Sequence, residues 1–138
     1  MSGPGFGPVG IMKGAAVGGT AAGILNVILY MAGGAAGAEY LMMPPGATEL
    51  APIPLAMPFI MSLVPALLGG GVLLGLTRVV PDKAWQIFLG LCAVAFIVML
   101  VGPPMQMAED MAAVVFLELM HVVAVAGAIV GIHMFGRS

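Results

Sequence analysis

The fold class predicted by the sequence is all-α: an integral membrane four-helix bundle, up-down-up-down, with both termini cytoplasmic. Three observations predict it. Apolar residues make up 62% of the 138 residues and charged residues only 7%, against about 25% charged in a soluble domain. The apolar residues gather into four stretches, each close to the roughly 20 residues that cross a bilayer. With alternating spans, Lys13, Arg78, Lys83 and Arg137 all fall on one side, and Glu39, Glu49, Glu109 and Asp110 on the other. Basic residues accumulate on the cytoplasmic side of membrane proteins, so the inner (plasma) membrane is the expected location.

The chain reads as a single membrane domain. Its first ten residues carry no charge ahead of an apolar stretch and no cleavage-site pattern, so an uncleaved anchor is expected rather than a leader. The first span is expected over residues 14–38, rich in Gly and Ala, with Glu39 ending it. Residues 42–58 contain Pro44, Pro45, Pro52, Pro54 and Pro58. Proline withholds a backbone donor and disfavours helix in the residue before it. This segment is therefore expected to be irregular, external, and resting on the membrane or the bundle. The second span is expected over residues 55–77, kinked by Pro65. The third is expected over residues 84–102, anchored by Trp85 at the interface and stopped by Pro103 and Pro104. The fourth is expected over residues 111–134.

Five glycine pairs have a spacing of four: Gly14 with Gly18, Gly19 with Gly23, Gly33 with Gly37, Gly71 with Gly75, and Gly127 with Gly131. That spacing puts both glycines on one helix face and admits a close neighbouring backbone. The faces serve either internal packing or another subunit. The first span holds more glycine than four helices need for themselves, which points to a partner.

Within the spans, the polar residues that lipid tolerates poorly are Asn26, Ser62, Glu118 and His121. Asn26, Ser62, Cys92 and His121 lie at similar depth, and Glu118 sits one turn from His121 on the same face. An ionised acid at mid-helix costs about 2.5–3.5 kcal/mol on insertion scales. Glu118 is therefore expected to be protonated, or hydrogen-bonded to His121 or Asn26, and to face inward. Two readings stand beside each other. The structural one is a buried hydrogen-bond cluster that fixes helix register. The functional one is a proton relay, or a metal or chlorophyll- or haem-type pigment at His121 with Glu118. Glu-x-x-His is half of a di-iron pattern, but the second half and two further carboxylates are missing. No metal or cofactor is expected on the structural reading. His133 reads as interfacial.

Of 13 methionines, Met42, Met43, Met105, Met107 and Met111 gather at the outer side. Thioethers suit Cu(I), but they also fill gaps between glycine-rich helices, which is the reading adopted. Cys92 excludes an intrachain disulfide. No basic patch points to nucleic acid. No nucleophile triad, phosphate loop or zinc spacing points to an enzyme.

The segments Asn26-Val-Ile-Leu-Tyr30, the basic turn before Ala84-Trp85, Val101-Gly-Pro-Pro104 and Leu119-Met-His121-Val-Val-Ala124 carry a resemblance over nearly the whole chain. The chain resembles an uncharacterised bacterial family of small four-span membrane proteins, a domain of unknown function. The resemblance implies a four-helix membrane fold and carries no activity. The expected function is that of a non-catalytic accessory or structural subunit, with the lipid bilayer and either other membrane subunits or copies of itself as partners. The alternative is a cofactor-binding or proton-coupled transport protein centred on Asn26, Glu118 and His121.

Overall fold

A computed structural model describes residues 6–107 and 109–137. The expectation of an uncleaved N-terminus falls partly on residues 1–5, outside the described residues. Four long helices dominate: α1 (Pro8–Ala35), α2 (Met57–Val79), α3 (Ala84–Met107) and α4 (Met111–Gly136). All four are long and apolar enough to cross a membrane. The chain is an all-α four-helix bundle and a multi-pass membrane protein.

Helix α1 begins six residues before the expected boundary at Gly14. Pro8 occupies the first turn, where its missing N–H is not needed and its fixed φ suits the helix. The Ile11 amide bonds back to the Gly7 carbonyl at 2.9 Å. At its other end α1 stops at Ala35 rather than Ala38. Gly37 takes a positive φ of 104°, and the Ala38 amide returns to the Gly33 carbonyl at 2.9 Å. That six-to-one bond, with glycine at the turn, closes helix ends efficiently.

The proline-rich segment is not wholly irregular. Leu41–Met42 (β1) and Ala51–Pro52 (β2) form a short antiparallel ribbon, pairing Leu41 with Pro52 and Met42 with Ala51. Met57 and Pro58 already belong to the first turn of α2. Tyr40, buried and at a positive φ of 53°, joins ribbon to bundle. Its carbonyl accepts from Ile53 at 2.9 Å, its hydroxyl donates to the Tyr30 carbonyl at 3.1 Å, and its ring stacks on Tyr30. The Tyr30 hydroxyl in turn donates to the Ile53 carbonyl. Burial, then the neighbouring Tyr30 and Asp110, push the Tyr40 phenol up to about 12.

Helix α3 runs through Pro103 and Pro104 to Met107, so the expected stop at Gly102 does not occur. Gly102 has no Cβ to clash with the following proline ring. The two prolines withhold donors only from the carbonyls four residues back, at Met99 and Leu100. Helix α2 likewise continues through Pro65.

Helix α1 packs on α4 and α2, α3 packs on the other side of the same pair, and α2 touches α4 between them. The α1–α4 approach is backbone to backbone. A Cβ built at Gly14, Gly18 or Gly131 would overlap a carbonyl oxygen of the facing helix, and one at Gly127 would sit 2.7 Å from the Ala22 methyl. Gly19 and Gly23 admit Ala66 and Phe59 of α2, and Gly33 admits the Tyr40 hydroxyl. Gly71 and Gly75 face open space. One core, around Ile11, Ala15, Leu73, Phe88 and Ile132, lies towards the basic end. The second, around Tyr40, Met107, Ala113 and Met120, lies towards the acidic end. Large apolar side chains such as Leu68 (67% exposed) and Val98 (66%) cover the outside, as lipid contact requires.

Asp110 fastens the acidic end. One oxygen caps α4 at the Ala113 amide, 3.0 Å away. The other accepts from the Glu39 and Tyr40 amides at 2.9 and 3.2 Å. Slight burial pushes this carboxyl up, but the three backbone donors outweigh it and hold it below its usual value of 3.8. The latch is therefore complete above the ordinary carboxylate range and is lost as pH falls through the depressed value. The amide proton shifts of Glu39 and Tyr40 in detergent micelles are expected to stay constant down to about pH 4 and to move below it. Asp110→Ala should produce the same movement at neutral pH and cost about 1 kcal/mol or more in cap energy.

Candidate functional site

Asn26 projects from the middle of α1 into the bundle and is 2% exposed. Its amide nitrogen donates to the Ser62 hydroxyl at 2.8 Å and to the Met120 carbonyl at 3.0 Å. One side chain thus joins α1, α2 and α4. Ser62 can accept because its own proton goes to the Pro58 carbonyl one turn earlier, at 2.6 Å. Turning the Asn26 amide round would set its oxygen against the Met120 carbonyl, so the hydrogen-bond network fixes its orientation. The amide oxygen is buried and has no partner among the described residues.

Glu118 and His121 are a separate pair. His121 Nδ1 lies 3.7 Å from Glu118 Oε1, one turn along α4, and both side chains are roughly a quarter exposed. That separation exceeds a hydrogen bond. Both atoms are buried without a partner among the described residues. The hydrogen bond expected from Glu118 to His121 or Asn26 is not formed among the described residues. The Asn26 donors are already committed to Ser62 and to a backbone carbonyl. The four polar residues singled out in the sequence therefore divide into a satisfied tie, Asn26–Ser62, and an unsatisfied pair, Glu118–His121.

Between α2, α3 and α4 lies a cleft of about 240 Å³. Ser62, Cys92 and His121 are its polar or polarisable wall, and Met61, Phe88 and Met99 are among its apolar lining. The cleft exists because α3 is held mainly at its ends. Ala84 and Phe88 are buried at one end and Met107 at the other, while the stretch from Leu89 to Val98 stays largely exposed. Pro65 also lines the cleft and deprives the Met61 carbonyl of its usual helical donor.

Elsewhere the chemistry is sparse. Among the described residues no three of His, Cys, Asp and Glu come together as a metal would need. Met107 is buried and Met42 packs against the same core, whereas Met43, Met105 and Met111 face outward. A hollow of about 600 Å³ beside Glu39, Glu109 and Asp110 lies at the acidic end, where the Asp110 carboxylate is already engaged. At the basic end, Trp85 stacks with Phe6 and Phe88 and lies beside His133, while Lys13 and Arg137 sit over Phe135 and Phe6.

Sequence reasoning missed Tyr40, the Met120 carbonyl and the capping role of Asp110. Only the last left a signal, an Asp directly before an apolar run. Asn26→Leu is expected to lower bundle stability by about 1–2 kcal/mol, at the upper end for interhelical hydrogen bonds in membranes. Ser62→Ala in the Asn26→Leu background should then cost little more, because the shared bond is already gone. A double-mutant cycle in a denaturing detergent titration reads this non-additivity directly.

Searches among curated proteins and among solved structures each gave no match. A family model does match, over residues 8–138, which takes in all four helices. The chain belongs to the family described as a family of unknown function, DUF6069.

Proposed function

We propose that the protein is a non-catalytic accessory subunit of a membrane assembly, formed with other membrane proteins or with copies of itself. The observation that carries this reading is the contrast among its glycine pairs. Gly14, Gly18, Gly19, Gly23, Gly127 and Gly131 are taken up by neighbouring helices within the chain, whereas a Cβ at Gly71 or Gly75 would meet nothing within 4 Å among the described residues. An open Gly-x-x-x-Gly face on α2 suits a further helix from outside. The four basic residues at one end support cytoplasmic termini and residence in the inner membrane.

A second reading draws on Glu118 and His121. Each has a buried polar atom without a partner among the described residues, and His121 lines the cleft, which favours a bound group or a proton path.

Gly71→Leu with Gly75→Leu tests the first reading. Wild-type protein extracted in mild detergent should migrate as an assembly on native gels. The double variant should release it while its unfolding free energy does not fall below that of wild type, because leucine is the better helix former and a Cβ at either position meets no neighbour among the described residues. A wild-type monomer with no co-purifying protein, or an assembly that survives both substitutions, contradicts this reading.

A further inference from the structure

We propose that the cleft between α2, α3 and α4 binds an uncharged, lipid-soluble carbonyl compound of the quinone type, held by a hydrogen bond from the His121 imidazole. The inference names a ligand class for the second reading above and rests on it.

The cleft opens on its outer side among residues that face lipid, so its natural occupant arrives from the bilayer. Its volume of about 240 Å³ exceeds the roughly 150 Å³ of an apolar protein cavity that takes up benzene. It falls below the 300–1,000 Å³ usual for sites that enclose larger ligands. A single ring fits with its tail left in the bilayer, and a tetrapyrrole does not.

The walls decide the polar chemistry. Ser62 already donates to Pro58 and accepts from Asn26. Cys92 offers only a weak donor. His121, about a quarter exposed, is the one strong hydrogen-bonding side chain in this wall without a hydrogen bond among the described residues. Its buried Nδ1 is turned to Glu118 Oε1, 3.7 Å away, which leaves the other ring nitrogen, Nε2, to meet a ligand. An imidazole carries at least one N–H in either charge state, and a ligand carbonyl is an acceptor that takes it up.

Depth decides the rest. His121 follows Met111, the first residue of α4, by about 15 Å along the axis, near the middle of the roughly 30 Å hydrocarbon core. The ester carbonyls of a phospholipid belong to the interface and do not reach that level. A charged head would be costly there. A neutral carbonyl on a ring without a headgroup meets both conditions.

The test uses the full chain in lipid nanodiscs with a short-tailed benzoquinone as probe. Isotope-edited infrared difference spectra follow the quinone carbonyl stretch. Wild type should bind saturably at one quinone per chain, with the band moved to lower frequency. His121→Leu should remove that movement and weaken binding about tenfold, as loss of one hydrogen bond does. His121→Gln, which keeps a donor, should retain part of the movement. Ala95→Phe, which fills the cleft from α3, should abolish binding while leaving helicity unchanged. The proposal is overturned if wild type shows no saturable binding, or if the moved band persists in His121→Leu. It is also overturned if a phospholipid fluorinated at mid-chain occupies the cleft and is not displaced by the quinone. A metal or tetrapyrrole co-purifying with wild type and lost in His121→Leu would likewise overturn it, while leaving the second reading standing.

Discussion

The backbone contact between α1 and α4 is the interaction on which the rest of the bundle depends. In lipid, apolar side chains gain little by meeting one another, because the acyl chains are just as apolar. Association relies on close packing and on interhelical hydrogen bonds. Gly14 and Gly18 on one helix and Gly127 and Gly131 on the other remove the side chains that would hold the axes apart. Once α4 lies that close, Asn26 can reach the Met120 carbonyl on α4 while also bonding Ser62 on α2. A residue with a side chain at Gly18 would move α4 outward and break the tie. The polar cluster is thus a consequence of the glycine contact rather than an independent source of association.

The two ends are fastened by different chemistry. At the acidic end, the Asp110 carboxylate gathers three backbone amides, and Tyr40 is held in an uncommon backbone conformation by bonds from its amide, its carbonyl and its hydroxyl. At the basic end the fastening is largely aromatic and cationic, with the Gly7 amide bonded to the Gly136 carbonyl at 2.9 Å. Helix α3 shares little of either contact except near its own ends. Its middle therefore stands away from α2 and α4, and the cleft beside His121 is the space left over.

Much of this was legible in the sequence, for physical reasons that also mark the limit. Four long apolar runs declare four spans, because few other structures satisfy so much backbone in lipid. Asn26 and Ser62 were legible as buried polar residues at one depth. Their third partner was not, because a backbone carbonyl has no signature in a sequence. Gly18 and Gly71 look alike by spacing, yet among the described residues one meets a backbone and the other meets nothing. Core and lipid are both apolar, so composition does not separate an inward face from an outward one. Pro103 and Pro104 read as a stop because proline usually ends a helix, but Gly102 ahead of them lacks the Cβ that makes the clash. Pro8 marked a true helix start, but the glycines around it hid it.

A denaturing detergent titration of Gly18→Val beside Gly71→Val, followed by helicity, isolates the α1–α4 contact. The two changes have the same intrinsic effect on helix propensity, so a difference between them reports the α1–α4 contact. Gly18→Val should lose about 1–3 kcal/mol, as overpacking produces, and Gly71→Val should change by less than about 0.5 kcal/mol. Equal stability of the two variants would contradict the claim that the approach of α1 to α4 sets the bundle.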